Sequence, residues 1–278
     1  MKQSLKGAVV EYLEFVTSLK SKSSQSQEKI YFRDLETHFK DSYLSEINSK
    51  SMEFFQASLV KKKKPQTVNR QFTVYNHFFK KCVEWNYLTE SPTKNIKKRR
   101  ELEPIRELWT DLEINKVLTN SHGWFRDAFE FMANTGCRTI ELSNLRFSDV
   151  DFENRSVVLR SENNATGSRI IPINDIAYEI LKVRSGIFRD DDCFVFINDK
   201  KNKLTTDCLN KKLLKIQKKL GLKRKTIYSL RHTYATNLCN RNVNLEKVRL
   251  LLGHSQIRTT QKYVKIDFFE LKKIVNGG

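Results

Sequence analysis

The chain has 278 residues, enough for one large domain or two ordinary ones, and its 39% hydrophobic and 11% aromatic content excludes a disordered chain. Its 51 Lys and Arg against 32 Asp and Glu leave a formal charge of +19, a surplus that attracts a phosphate backbone or an anionic membrane surface. No run of about 18 apolar residues is present to span a bilayer, and the opening M-K-Q-S-L-K-G lacks the apolar core of a signal peptide. Cys82, Cys137, Cys193, Cys208 and Cys239 are odd in number and never form C-x-x-C, which fits free thiols in a reducing cytosol.

Residues 4–19 have the spacing of an amphipathic helix, with Leu5, Ala8, Val9, Tyr12, Leu13 and Val16 on one side. The run S-K-S-S-Q-S-Q at 21–27 reads as a polar connector. Helices are expected over 31–40 and 50–59. The lysines of 61–64 then precede Pro65, a first-turn proline, and a long helix over 66–85 carrying Val68, Phe72, Tyr75, Phe78, Phe79, Cys82 and Val83. Residues 1–96 are thus a small helical bundle. The stretch K-K-R-R-E-L-E-P-I-R-E at 97–107 is charged, contains a proline and has little to bury, so it reads as an interdomain linker. The basic runs 61–64 and 97–100 read either as solvated charge or, since they bracket a helix and this linker, as a track for DNA backbone, and the second is the expectation.

A second domain, 108–278, opens on T-D-L-E at Thr110, a capping box. A helix follows over 125–134, then a glycine turn in T-G-C-R-T-I-E-L-S-N-L leads into another. β-like runs lie at 156–159 and 169–173, split by S-E-N-N-A-T-G-S, with a third expected at 194–197. Residues 207–225 form a basic amphipathic helix ending at Gly221, with Leu209, Leu213, Leu214 and Leu220 inward. Arg231 sits near the start of the next helix, which aligns Leu230, Tyr234, Ala235 and Leu238. Asn244 caps a further helix with Leu245, Val248, Leu251 and Leu252 on one face, and Gly253 suits its left-handed C′ position. His254 then leaves the helix. Thr259 or Thr260 is expected to cap a third short helix carrying Tyr263 about one turn in, and residues 268–275 to form a last one. The fold class is mainly α with a small antiparallel sheet.

A cation, an imidazole and a phenol presented from neighbouring helix ends make an anion site. A phenol, with a pKa near ~10, is a weak nucleophile at neutral pH. Two guanidiniums that meet the charge growing on a phosphodiester's oxygens would ease its deprotonation. Arg138 and Arg231 are the pair the sequence offers, and Glu141, three residues after Arg138 on the same helix face, would orient it. His232 reads as a packing or capping residue, and the acidic cluster at 190–192 as a solvated turn with no metal-site spacing.

Three segments in order carry a family resemblance. T-G-C-R-T-I-E-L-S-N-L-R-F-S-D-V-D resembles the first arginine box of the tyrosine recombinases, or phage integrases. S-L-R-H-T-Y-A-T resembles their second, and L-L-G-H-S-Q-I-R-T-T-Q-K-Y their last, with histidine and tyrosine at the family's spacing. The end of the first bundle, through N-Y-L-T-E-S-P, is similar to the family's core-binding domain. The resemblance implies a two-domain DNA clamp: a SAM-like core-binding bundle at 1–96, a linker at 97–107, and a catalytic domain at 108–278. It implies that Arg138 and Arg231 hold the scissile phosphate, that His254 donates a hydrogen bond to it, and that Tyr263 forms a 3′-phosphotyrosine link, with Glu141 in support. It also implies no metal or nucleotide cofactor, four protomers on two duplex DNA sites (monomer or dimer in isolation), accessory proteins, a cytoplasmic, nucleoid-associated location in a prokaryotic or phage setting, and a C-terminal helix docking on a neighbour through Phe268, Phe269, Leu271, Ile274 and Val275.

Two positions depart from the pattern. Asn164 stands where the family's hairpin lysine belongs, and Tyr228 stands where its second box has histidine. Neither side chain is a general acid at neutral pH, a role worth about 10²–10⁴ in rate, and Arg160 is one stand-in for the lysine. A binding-only or accessory relative and a type IB topoisomerase-like enzyme are the alternatives to a recombinase.

Overall fold

A computed structural model describes residues 3–102, 107–160, 167–187 and 192–264. Two compact units divide the chain, Met1–Pro104 and Ile105–Gly278. Among the described residues no helix is long and apolar enough to cross a membrane.

Among the described residues the first unit holds four α-helices, α1 (Leu5–Thr17), α2 (Lys22–Phe39), α3 (Ser49–Val60) and α4 (Pro65–Glu84). The polar run at 21–27 is not a connector. Ser21 caps α2 by accepting from the Ser24 N–H, and the run forms the helix's first turns. Gln25 secures this start by donating from Nε2 to the carbonyls of Thr17 and Lys20, at 2.9 and 2.8 Å. Serines on an exposed helical face leave no apolar periodicity, so the sequence concealed these turns. Aromatic rings fill the core, with Tyr12, Phe32 and Phe78 meeting edge to face at 5.2–5.4 Å. The charged stretch after the bundle is tied to it: Asn69 on α4 bonds both the carbonyl and the N–H of Arg99 at 2.8 Å, and Gln56 on α3 donates to the Lys97 carbonyl at 3.1 Å.

Near the start of the second unit Trp109 donates from its backbone N–H to Thr233 Oγ1 and from its indole to Ser229 Oγ, both at 2.9 Å. Helix α5 (Asp111–Thr119) carries the expected capping box between Thr110 and Glu113. There follow α6 (Gly123–Thr135), α7 (Thr139–Asn144), strands β1 (Val150–Asp151), β2 (Ser156–Leu159) and β3 (Arg169–Pro172), and α8 (Asp175–Ile187). The sheet is antiparallel in the order β1-β2-β3, with Val157 opposite Ile171. Residues 194–197 are not a strand; Phe194 and Ile197 make only isolated bridges, to Arg146 and Lys203. Helix α8 was not anticipated, although Ala177, Leu181 and Arg184 recur at helical spacing and are buried.

Helices α9 (Thr206–Lys219), α10 (Tyr228–Asn240), α11 (Leu245–Leu252) and α12 (Ile257–Gln261) follow among the described residues. Phe125, Phe129, Met132, Leu142, Val157, Leu159, Ile171, Leu209, Leu213 and Leu230 share one core. A smaller core joins Ala235, Val248, Leu252 and Tyr263. Burying such side chains contributes roughly 1.5–3 kcal/mol each. Trp109 and the two cores therefore hold α10 along its length.

Candidate active site

Asn244 caps α11 through Oδ1, which accepts from the Glu246 and Lys247 N–H groups, and Gly253 ends it in the left-handed region at φ +63°. Carbonyls at a helix C-terminus lack intrahelical donors and carry the negative end of the dipole. Here four arginines supply those donors to consecutive residues. Arg169 Nε donates to the Leu251 carbonyl at 2.9 Å, Arg231 Nη2 to Leu252 at 2.5 Å, Arg138 Nη2 to Gly253 at 2.9 Å, and Arg249 Nη1 to His254 at 2.6 Å. Sequence positions 138 and 231, some 90 residues apart, are brought to one helix end in this way.

Glu141 is the counter-charge. Its buried carboxylate accepts from the backbone N–H and Nη1 of Arg138, both at 2.7 Å. It also receives a two-pronged contact from Arg169, at 2.7 and 3.0 Å. Burial pushes its carboxyl pKa up, but the Arg169 and Arg138 contacts outweigh that and hold it below the usual range. Arg231 is 1% exposed and donates from Nη1 to the Gly136 carbonyl at 2.8 Å, while its buried Nε has no hydrogen-bond partner. Burial, then the Arg138 charge, lowers its pKa to about 10. Two guanidiniums thus contact one carboxylate and a third lies within reach of its charge, an arrangement short of negative charge and suited to an anion.

His254 lies beside them, buried, with Nδ1 2.8 Å from Thr260 Oγ1. Burial first, then the Arg231, Arg138 and Arg169 charges, lowers its pKa to about 4, so the imidazole is neutral at pH 7. Its ring stacks on Tyr263 with centroids 6.2 Å apart and planes 9° apart. Tyr263 is 5% exposed, and its hydroxyl is 2.8 Å from His232 Nδ1. Neither Thr259 nor Thr260 caps α12, whose N-cap is Gln256, and the helix ends at Gln261, so Tyr263 stands just beyond it. Inside the helix Thr260 turns its hydroxyl to His254 instead.

The structure therefore brings together Arg138, Glu141, Arg231, His254 and Tyr263. Tyr228, at the start of α10, is 45% exposed and meets the His232 ring edge-on at 4.8 Å. Arg160 is half out in solvent with Nε on Asp149 at 2.6 Å; that bond raises its pKa, and a guanidinium does not surrender a proton near neutrality. Asn164 and the residues of 268–275 lie outside the described residues, as do two members of the acidic cluster, whose third, Asp192, is exposed.

Two participants were missed. Arg169 shares an inward strand face with Ile171 while Ile170 points out at 70% exposure, a period-2 signal that an arginine belongs inside. His232 lies one helical turn after Tyr228, so it occupies the neighbourhood in which the second-box histidine was expected.

The sequence matches the phage integrase family over residues 109–270, more than half of the chain. Tyrosine recombinase XerC of Chlamydia muridarum (strain MoPn / Nigg) is 29% identical over 229 residues, which cover 76% of this chain and 70% of that protein. The Tn1549 transposon integrase in complex with a circular intermediate DNA superposes with a TM-score of 0.83 at 17% identity, covering 99% of both chains. A lambda integrase dimer bound to a COC′ core site gives 0.80 at 16% identity, over 95% of this chain and 80% of that one. At these identities the structural likeness is one of fold. The chain belongs to the phage integrase family and is a tyrosine-type site-specific recombinase.

Proposed function

We propose that this chain cuts and rejoins duplex DNA at specific sites through a 3′-phosphotyrosine at Tyr263, with Arg138 and Arg231 holding the scissile phosphate. The observation that carries the reading is the convergence of Arg138, Arg169 and Arg231 on the α11 C-terminus beside His254 and Tyr263. The phosphodiester's non-bridging oxygens would complete the charge balance that Glu141 leaves unfinished, and their charge grows in the transition state. A Thr260 hydroxyl donating to His254 Nδ1 leaves the imidazole proton on Nε2, from which it can be donated to a phosphate oxygen. Glu141 positions Arg138, and Arg169 positions Glu141. The +19 charge supplies a sequence-independent, salt-sensitive attraction to the backbone. By the same reading, four protomers act on two sites in the cytoplasm, and residues 268–275 dock on a neighbouring protomer.

The test is covalent trapping. A duplex site is selected from a random-sequence library by binding to the wild-type chain, then nicked near the cut so that the released fragment diffuses away. Wild-type protein should accumulate a covalent protein–DNA band, and Tyr263→Phe should bind equally and give none. Binding without a band in the wild type would instead mark a DNA-binding accessory protein.

A further inference from the structure

We propose that His232 is the catalytic group that takes the proton from Tyr263 Oη as the phenol attacks phosphorus, and that it supplies Oη with a proton drawn from solvent when the strands rejoin. The proposal rests on Tyr263 being the nucleophile, and it fills the role left open by Tyr228.

The geometry is specific. His232 Nδ1 lies 2.8 Å from Tyr263 Oη, with the rings 5.6 Å apart and tilted by 42°. That is hydrogen-bond reach for a proton transfer. With the imidazole proton on Nε2, Nδ1 is the acceptor and the phenol the donor. The flanking residues fix the backbone here. Arg231 is anchored to the carbonyls of Gly136 and Leu252, while Ser229 and Thr233 are bonded to Trp109. Tyr228 packs edge-on against the imidazole on another side. The ring is therefore held where it is, and it retains partial exposure through which a proton can reach solvent.

The other imidazole is badly placed for the task. His254 presents its face, not a ring nitrogen, to the Tyr263 ring, and its Nδ1 is engaged by Thr260. The arginines beside it also oppose a positive charge there. The division of labour follows: His254 serves the phosphate as a neutral donor, and His232 serves the nucleophile as an acceptor.

The step balances without a cofactor. An Oη lone pair forms the bond to phosphorus while the Oη–H proton moves to His232 Nδ1. The bond from phosphorus to the 5′ oxygen breaks, and the departing oxygen takes a proton from water. The hydroxide so formed is neutralised by the proton that His232 releases to solvent. Before attack the transfer is uphill, because a phenol is a weaker acid than an imidazolium. It becomes favourable as the phenol oxygen becomes an ester oxygen with no appreciable basicity.

The experiment uses the full-length protein and the nicked duplex described above, under single-turnover conditions. Tyr263→Phe is run first. If that variant still traps DNA, or the wild type never does, the nucleophile assignment itself fails. With that assignment standing, His232→Ala should slow covalent-complex formation by about 100-fold, with DNA affinity within about twofold of wild type and an unchanged melting temperature. Added imidazole should restore at least about tenfold of the lost rate. His232→Gln, which can hydrogen-bond but not hold the proton, should stay as slow as alanine; it decides the matter alone if the alanine variant does not fold. Wild-type rates in either variant, or a slow alanine variant that imidazole does not rescue, would overturn the proposal.

Discussion

Replacing Glu141 with glutamine tests the electrostatic argument at its centre. The carboxylate accepts four hydrogen bonds, two from Arg138 and two from Arg169, and its side chain is fully buried. The arginine side chains are 22% and 12% exposed, so solvent screens them little. Removing one partner of such a pair costs about 3–5 kcal/mol, because the remaining charges are left uncompensated. Glutamine keeps one acceptor oxygen, which favours the lower figure of ~3 kcal/mol. For a unit of this size about 1 kcal/mol moves the melting point by about 2–4 °C. The second unit should therefore melt roughly 6–12 °C lower in calorimetry, while the first unit's transition stays in place. Sulfate or phosphate should stabilise the variant more than the wild type, since an anion takes over the missing charge. The pH dependence has a definite sign. Glu141 titrates below its ordinary 4.5, so its contribution is complete above that pH and is lost as pH falls through the folded value. The gap between the two proteins should accordingly close in acid. A variant that melts within about 2 °C of wild type at pH 7 would refute the view that Glu141 is what allows three guanidiniums to share one helix end.

Two further outcomes follow from the same site. His254 has a folded pKa of about 4 against an ordinary 6.5, so below pH 6.5 the unfolded chain binds a proton that the fold refuses; stability should drop by up to about 3 kcal/mol between pH 6.5 and 4, and a denaturant titration of His254→Gln should show that slope flattened. Gly253→Ala places a Cβ at φ +63° and 2.8 Å from Arg169 Nη1, so it should lower the melting point by several degrees, about 1–2 kcal/mol from the backbone alone; an unchanged circular-dichroism melt would rule out both the strain and the contact.

Much of this was legible in the sequence. Apolar spacing located α1, α4 and α6 but not α8, Thr110 and Asn244 marked the caps of α5 and α11, and Gly253 marked the turn that delivers His254. What escaped has physical causes. The serine-rich start of α2 is held by caps and a glutamine rather than by an apolar face, so periodicity was silent there. Arg169 was hidden because an arginine opening a strand looks like an edge residue until the inward burial of Ile171 fixes its face. His232 was discounted because a histidine beside an arginine on a helix has no signal of its own. Its meaning comes from a partner 31 residues downstream. The role expected at position 228 could still have been sought one turn along the helix.

The pairing of a helix C-terminus with arginines explains how the site can exist before DNA arrives. Three guanidiniums close together repel one another, and Arg231 registers first its burial and then the Arg138 charge in its lowered pKa. Glu141 offsets one unit of the charge. The C-terminal carbonyls of α11 offset part of the rest and, unlike a second carboxylate, they do so without neutralising the site. A second buried acid would hold the arginines more firmly and compete with phosphate. Carbonyl dipoles direct each guanidinium yet leave a positive surplus for the incoming oxygens. The sharp left-handed turn at Gly253 is what allows the next carbonyls to face the arginines in succession. It also sends the chain directly on to His254, which stacks on Tyr263. One helix end thus places three arginines and, ten residues after Gly253, Tyr263, so a displacement of α11 would disturb both together.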